Sequence, residues 1–396
     1  MMEQSYPMRP EEALDPGGAE AGMALADDLI KHGDLASGRA QLEKILERDP
    51  GHTEASRMLV EAHLLAGSPG SAHKEEVRHG LFVGGITGPS ADCYRAHAAL
   101  LYGDMPQGWD LYESRLLEPG LTMPERHFTH PRWNGEPFPG KTLLLHYEQG
   151  LGDTLMFVRY APQVKALGGR VILAAQKSLA DLVATCDGID VVVPKGTPPP
   201  PFDLHFPLLS LPWLFRTELA SIPEEVPYLR VPDLVPNRLA ITEFLAASEG
   251  RIRVGLAWRG SPDHPRDGER SIPAATISPL EVLPGVAWYS LQREEGLAAP
   301  FPGIFQLGSL LSNFSDTACA LGSMDLVITV DTAVAHLAGA MGVPTLLLLT
   351  QLPDWRWLMD RDDSPWYPTL RLYRQPMAGD WDTVIQRVLS DLSQSE

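Results

Sequence analysis

One stretch, Val327-Ile328-Thr329-Val330-Asp331-Thr332-Ala333-Val334-Ala335-His336-Leu337-Ala338-Gly339-Ala340, leaves few folds open to this chain. Asp325 to Val330 is apolar and β-branched, the pattern of a parallel strand covered on both faces. Asp331 and Thr332 stand where a helix N-cap belongs. The Ala, Leu and Gly that follow make a helix whose backbone can lie close to a sheet. Gly342 and Pro344 end it, and Thr345 to Leu349 begins the next strand. A helix that starts at the carboxyl edge of a parallel sheet points its N–H groups and its positive dipole end at whatever binds there. His336, about one turn in, either faces that ligand or sits in the core with a backbone partner. Taken alone, the pattern is also ordinary α/β architecture, and a second stretch of the same kind gives it weight.

That second stretch follows Lys141, where the hydrophobic period changes. Thr142 to His146 reads as a short apolar strand, then come Tyr147-Glu148-Gln149-Gly150-Leu151-Gly152-Asp153 and a helix from Thr154 to Leu167 that Gly168-Gly169 stops. Further strands are expected at Arg170 to Ala174, Asp190 to Val193, Asp203 to Phe206 and Tyr228 to Val231, with a helix at Ser178 to Thr185. After a Pro-bounded hinge, Pro232 to Pro236, a helix from Arg238 to Ser248 leads into a second run. Its strands are Ile252 to Trp258, Val286 to Leu291, Ile304 to Leu307, Asp325 to Val330 and Thr345 to Leu349. A helix from Thr383 to Leu392 closes the chain. Strands alternating with helices imply parallel sheets with right-handed crossovers. Two such halves joined by a hinge leave a cleft between facing carboxyl edges.

The residues before Lys141 follow another rule. Residues 1–18 carry no apolar pattern and read as a disordered tail. Leu25, Leu29 and Ile30 recur at helical spacing, Gly33-Asp34 makes a turn, and Leu42, Ile45 and Leu46 precede Pro50. Turns at Gly33, Gly67 and Gly103 are 34 and 36 residues apart, the period of a tetratricopeptide array. The alternative is a set of antiparallel helices capping the rest. An array of this kind offers a concave groove for peptide or protein. The expected organisation is therefore a tail at 1–18, a tetratricopeptide-like helical domain at 19–118, a Pro- and Trp-rich connector at 119–140 that packs through Trp133 and Phe138, Rossmann-like halves at 141–235 and 236–378, and a C-terminal helix at 379–396.

A formal net charge of −19 argues against nucleic acid and anionic membrane surfaces, both of which select Lys and Arg. An anionic ligand would need a local cationic pocket. Cys93, Cys186 and Cys319 are far apart with no metal spacing, which fits reduced thiols in a cytoplasmic protein. No apolar run approaches the roughly 20 residues of a membrane span.

The polar stretches after the strands carry the candidate chemistry. Gln149, Gly150 and Gly152 allow close backbone approach to a ligand. The turn is not GxGxxG, because Asp153 stands where it would repel a pyrophosphate, so dinucleotide binding is disfavoured. Asp153 suits proton abstraction from a hydroxyl, or simple N-capping, or both. Trp258, Gly260 and Gln292 lie at strand ends of the second half. Arg270 is placed to clamp a phosphate, with an ion pair to Glu269 or Asp267 as the alternative. Asp331, Thr332, Ala333 and His336 complete the set. Histidine and carboxylate spacings give no metal site, and Asp362-Asp363 reads as structural.

His146 to Thr154, Val330 to Ala340 and Pro353-Asp354-Trp355-Arg356-Trp357 together resemble bacterial tetratricopeptide proteins with a C-terminal glycosyltransferase domain related to the family 9 heptosyltransferases. The resemblance covers essentially residues 90–393. It implies a GT-B fold, two Rossmann-like domains facing a cleft, preceded by an all-α tetratricopeptide-like domain. It also implies inverting, metal-independent transfer from a nucleotide sugar, which is a substrate, so that no cofactor is needed. Asp153 matches the proposed general base, Arg270 the position of a phosphate-binding Lys, and Asp331, Thr332 and His336 the donor-binding motif. Heptosyltransferases have Gly where this chain has Ala333, and a Cβ there argues against ADP-heptose itself. Some proteins of this appearance modify flagellin, so the acceptor is expected to be a protein, engaged by the helical domain, or a glycan. The competing reading is a protein-binding scaffold whose GT-B half has lost catalysis.

Overall fold

A computed structural model describes residues 16–49, 52–66, 89–117, 128–248, 250–293 and 297–394. The chain divides into two compact units, Met1–Arg95 and Ala96–Glu396. In the first, helices Pro16–Lys31, Leu35–Arg48 and Thr53–Leu65 close around Ala26, Leu42, Ile45, Leu46, Ala55, Met58 and Leu59. Gly33 takes a positive φ of 84° at the expected turn, and Asp34 accepts from the Ser37 amide to cap the second helix. At Gly38 any Cβ would stand 2.7 Å from the Ile30 side chain, so a larger residue there would require Ile30 to move. The helix starts at Pro16 rather than after residue 18. The turn at Gly67 and the weak repeat from Ser68 to Gly88 lie outside the described residues.

Residues 96–117, which the hydrophobic period groups with the helical array, belong to the second unit. The physical reason is Trp109, on the helix Met105–Tyr112. Its indole donates to the Thr217 carbonyl at 3.0 Å and packs edge-on against Phe157, Trp355 and Trp366. Trp133 and Phe138 are buried as expected, and the Trp133 amide donates to the His205 carbonyl.

The front sheet has four parallel strands in the order β3-β2-β1-β4: β1 Thr142–His146, β2 Arg170–Ala175, β3 Val191–Pro194 and β4 Leu204–Pro207. The rear sheet has six, in the order β10-β9-β8-β5-β6-β7: β5 Ile252–Ala257, β6 Val286–Ser290, β7 Phe305–Gln306, β8 Leu326–Val330, β9 Thr345–Leu349 and β10 Leu370–Arg374. Its chain order is that of a doubly wound dinucleotide-type sheet, with the topological switch between β5 and β8. In the front sheet the corresponding switch lies between β1 and β4.

Two expectations are corrected. Tyr228 to Val231 is not a strand: the Tyr228 and Leu229 amides both donate to one carbonyl, Ala340. Pro227 and Pro232 flank it and supply no N–H for a ladder. The Tyr228 hydroxyl donates to the Leu155 carbonyl, while buried Arg159 donates to that hydroxyl and to the Trp366 carbonyl, so this crossing segment ties front to rear. The second correction is the added edge strand β10, which pairs in parallel with β9. Among the described residues, no helix is long and apolar enough to cross a membrane. Cys93, Cys186 and Cys319 are buried.

Candidate active site

Each sheet sends one strand straight into a helix at the junction between the halves. On the front side, β1 leads through Tyr147–Gly150 into the helix Leu151–Phe157, with Asp153 at its third position. The Asp153 Oδ2 accepts from the Gly150 amide at 2.7 Å, so the carboxylate caps its own helix. Gln176 steadies the turn from β2, donating to the Gln149 and Gly150 carbonyls and accepting from the Thr154 hydroxyl.

On the rear side, β8 leads into the helix Ala333–Ala340. Thr332 is its N-cap, accepting from the Val334 amide at 3.2 Å. His336 is buried. Its Nδ1 meets the Tyr367 hydroxyl at 2.9 Å and its ring stacks on Trp357 with 5.1 Å between centroids. Burial, and then Arg356, hold the imidazole neutral and push its pKa down to about 3. A Cβ at Gly152 would stand 2.7 Å from this ring. The two helix starts therefore touch, Gly152 against His336, whose ring is held by Tyr367 and Trp357.

Asp153 is not left with Gly150 alone. Arg356, on the loop after β9, crosses from the rear and forms an ion pair with it. Arg356 also pairs with Asp354 at 2.7 Å and lies 4.2 Å over the Trp355 ring. Burial raises the Asp153 pKa, helped by the Asp354 charge and opposed by Arg356. For Asp354 burial works upward, but Arg356 wins and holds the carboxyl well below its usual range. At Asp331 burial and the nearby Asp354 outweigh the Trp357 indole and the charges of Arg270 and Arg356, and push the carboxyl up to about 6.

The remaining predicted residues divide. Arg270 reaches the site, donating to the Asp331 carbonyl at 2.8 Å and pairing with Asp267 at 3.4 Å. Its guanidinium lies against the bare backbone of Gly260, where any Cβ would meet it at 2.5 Å. Glu269 pairs with Arg266 instead. Gln292 supports the β5 edge, accepting from the Arg259 amide at 3.0 Å. Trp258 is corrected: its side chain is 2% exposed and belongs to the rear core with Val254, Ile272 and Trp288. Ala333 is the first residue of the helix and half-buried.

Sequence reasoning passed over Arg356, Asp354 and Arg115 as site residues. The first two follow the all-apolar β9, so the rule that picked the other polar strand ends applies to them equally. Arg115 is 2% exposed. It pairs with Glu148 at 2.9 Å and with Glu113, and donates to the Ser210 hydroxyl, fixing the β1 loop from behind. No local pattern marks it. Among the described residues, no group of three or more His, Cys, Asp or Glu is arranged to hold a metal ion. The junction thus sets a basic-shifted carboxylate from the front beside guanidinium groups and a helix N-terminus from the rear, the components needed to take a proton from a hydroxyl and stabilise an anionic leaving group.

No protein-family model matches the chain. Among curated proteins it is similar to Protein FlbA of Caulobacter vibrioides, at 29% identity over 329 residues, which take in 75% of this chain and 54% of that protein. The chain thus spans about half the length of the curated relative it matches. Among solved structures it is similar to a glycosyl transferase family 9 protein from Veillonella parvula (TM-score 0.48, 11% identity, 66% of this chain and 99% of that one). It is likewise similar to the E. coli ADP-heptose LPS heptosyltransferase II (TM-score 0.47, 12% identity, 64% and 98%).

Proposed function

We propose that this protein is a metal-independent, inverting glycosyltransferase that moves a sugar from a nucleotide-sugar donor to a hydroxyl of a protein, flagellin being a candidate, or of a glycan. The observation that carries the reading is the placement of Asp153, from the front sheet, at the start of the rear helix Ala333–Ala340 and beside Arg356. In this mechanism Asp153 takes the acceptor hydroxyl proton while that oxygen attacks the anomeric carbon. The bond from that carbon to the donor phosphate breaks, and the nucleoside diphosphate leaves with the electron pair. Its charge is met by the amides at the rear helix start and by the guanidinium groups of Arg270 and Arg356. The helical unit would engage a protein acceptor, and the reaction would take place in the cytoplasm.

One observation favours the scaffold reading: both Asp153 oxygens are engaged, one by Gly150 and one by Arg356. A thermal-shift screen of the full chain against UDP-, GDP-, ADP-, TDP- and CMP-sugars separates the two. Stabilisation by one donor class supports the enzyme, because a ligand that binds only the folded state raises the transition temperature. No shift with any of them leaves the scaffold.

A further inference from the structure

Arg356 is placed to do more than bridge two carboxylates. One terminal nitrogen serves Asp153 and the other serves Asp354, whose side chain is 37% exposed. The third nitrogen, Nε, is buried and finds no hydrogen-bond acceptor among the described residues. A guanidinium that is 7% exposed normally satisfies all of its donors. Leaving one unmatched costs free energy that a different set of partners would recover. Arg356 also stands within Coulombic reach of Asp331, at the start of the rear helix where an anion is favoured. Meanwhile its hold on Asp153 lowers that carboxylate's basicity, the opposite of what a general base needs.

Building on the reading of Asp153 as base, we propose that Arg356 is a two-position switch. In one position it neutralises Asp153. In the other it turns to the diphosphate of a nucleoside diphosphate sugar and leaves Asp153 on the Gly150 amide alone. The base is thereby set free only in the complex that holds a donor, which couples donor binding to acceptor activation. Asp354 keeps one terminal nitrogen in both positions and acts as the pivot, since it already accepts from both the Arg356 amide and its side chain. The planar fork suits a phosphate pair, which a lysine could meet only as a point charge.

The test is a double-mutant cycle on the full chain, with inorganic pyrophosphate as the calorimetric probe. Asp153 and the probe compete for Arg356, so Asp153→Asn tightens pyrophosphate binding roughly tenfold, a difference of about 1.4 kcal/mol. In the Arg356→Met background the same Asp153→Asn change has little effect, because the contested group is gone. Equal tightening in both backgrounds means that Asp153 acts only through its charge, and the switch is overturned. If Arg356→Met fails to fold, Arg356→Lys replaces it and is expected to weaken pyrophosphate binding and to shrink the Asp153→Asn effect. An undiminished effect with Lys overturns the switch equally. Sugar transfer by wild type with an undiminished Asp153→Asn effect removes the switch and keeps the enzyme. Wild-type protein that binds neither pyrophosphate nor any nucleotide sugar removes both.

Discussion

The two strand-to-helix turns at the junction look alike in sequence and behave as opposites. Both end a buried parallel strand and both start a short helix beside the other. The front helix carries its own anion: Asp153 occupies the amide end that an external phosphate would use. The rear helix is capped by a neutral hydroxyl, Thr332, and has Arg270 on the carbonyl next to it. On the proposed function, the same local geometry would yield a proton acceptor on one side and an anion seat on the other, and the capping residue distinguishes them. The sheets behind them differ in the same sense. The rear one has six strands and a large core, whereas the front one has four, and its β3-to-β4 connection, residues 195–203, contains no helix.

The most severe way to break this asymmetry is Arg356→Met. It leaves the largely buried Asp153 and the partly exposed Asp354 without their shared cation, and breaking a buried pair of this kind costs about 3–5 kcal/mol. Urea unfolding measures it. A loss below about 1 kcal/mol would mark the bridge as a surface-type ion pair. Gly152→Ala tests the contact between the two turns. The new methyl would meet a His336 ring that cannot retreat between Trp357 and Tyr367, and overpacking of this kind costs about 1–3 kcal/mol. A neutral result in the same unfolding assay would show that the helix starts can separate.

Asp331→Asn sharpens the electrostatic side. The folded-state pKa of Asp331 lies above its unfolded value, at about 6. Between the unfolded and folded values the native chain holds a proton that the unfolded chain has lost, so stability falls as pH rises through that window. The variant escapes this loss. It should gain about 1–2 kcal/mol over wild type near pH 8 and gain nothing near pH 4, as read from urea midpoints at each pH. Equal gains at both would refute a titrating Asp331. Thr332→Ala is the mildest probe. Losing the rear cap costs about 1 kcal/mol, and a null effect on unfolding would mean that the hydroxyl does not hold this helix.

Much of this frame was legible from residue patterns. β1 and β9 match the expected bounds to the residue, because β-branched and leucine-rich runs there stop at Gly, Pro or polar residues. The self-capping of Asp153 followed from its position after Gly150 and Gly152. β10 escaped notice because Arg371 and Arg374 interrupt its apolar run, as an edge strand allows. Tyr228 to Val231 misled because its apolar residues are buried without a ladder. The role of Arg356 could not be read locally: its partner Asp153 lies 203 positions away. A resemblance supplied its motif but assigned it nothing.

The measurement that bears most directly on the central claim is turnover of a nucleotide sugar by wild type and by Asp153→Asn, with donor affinity recorded in parallel. The Asn side chain can still accept from the Gly150 amide, so the turn is expected to fold. If Asp153 is the base, turnover falls by roughly 10²- to 10⁴-fold while donor binding is retained or tightened. Equal turnover by the two proteins would contradict the account.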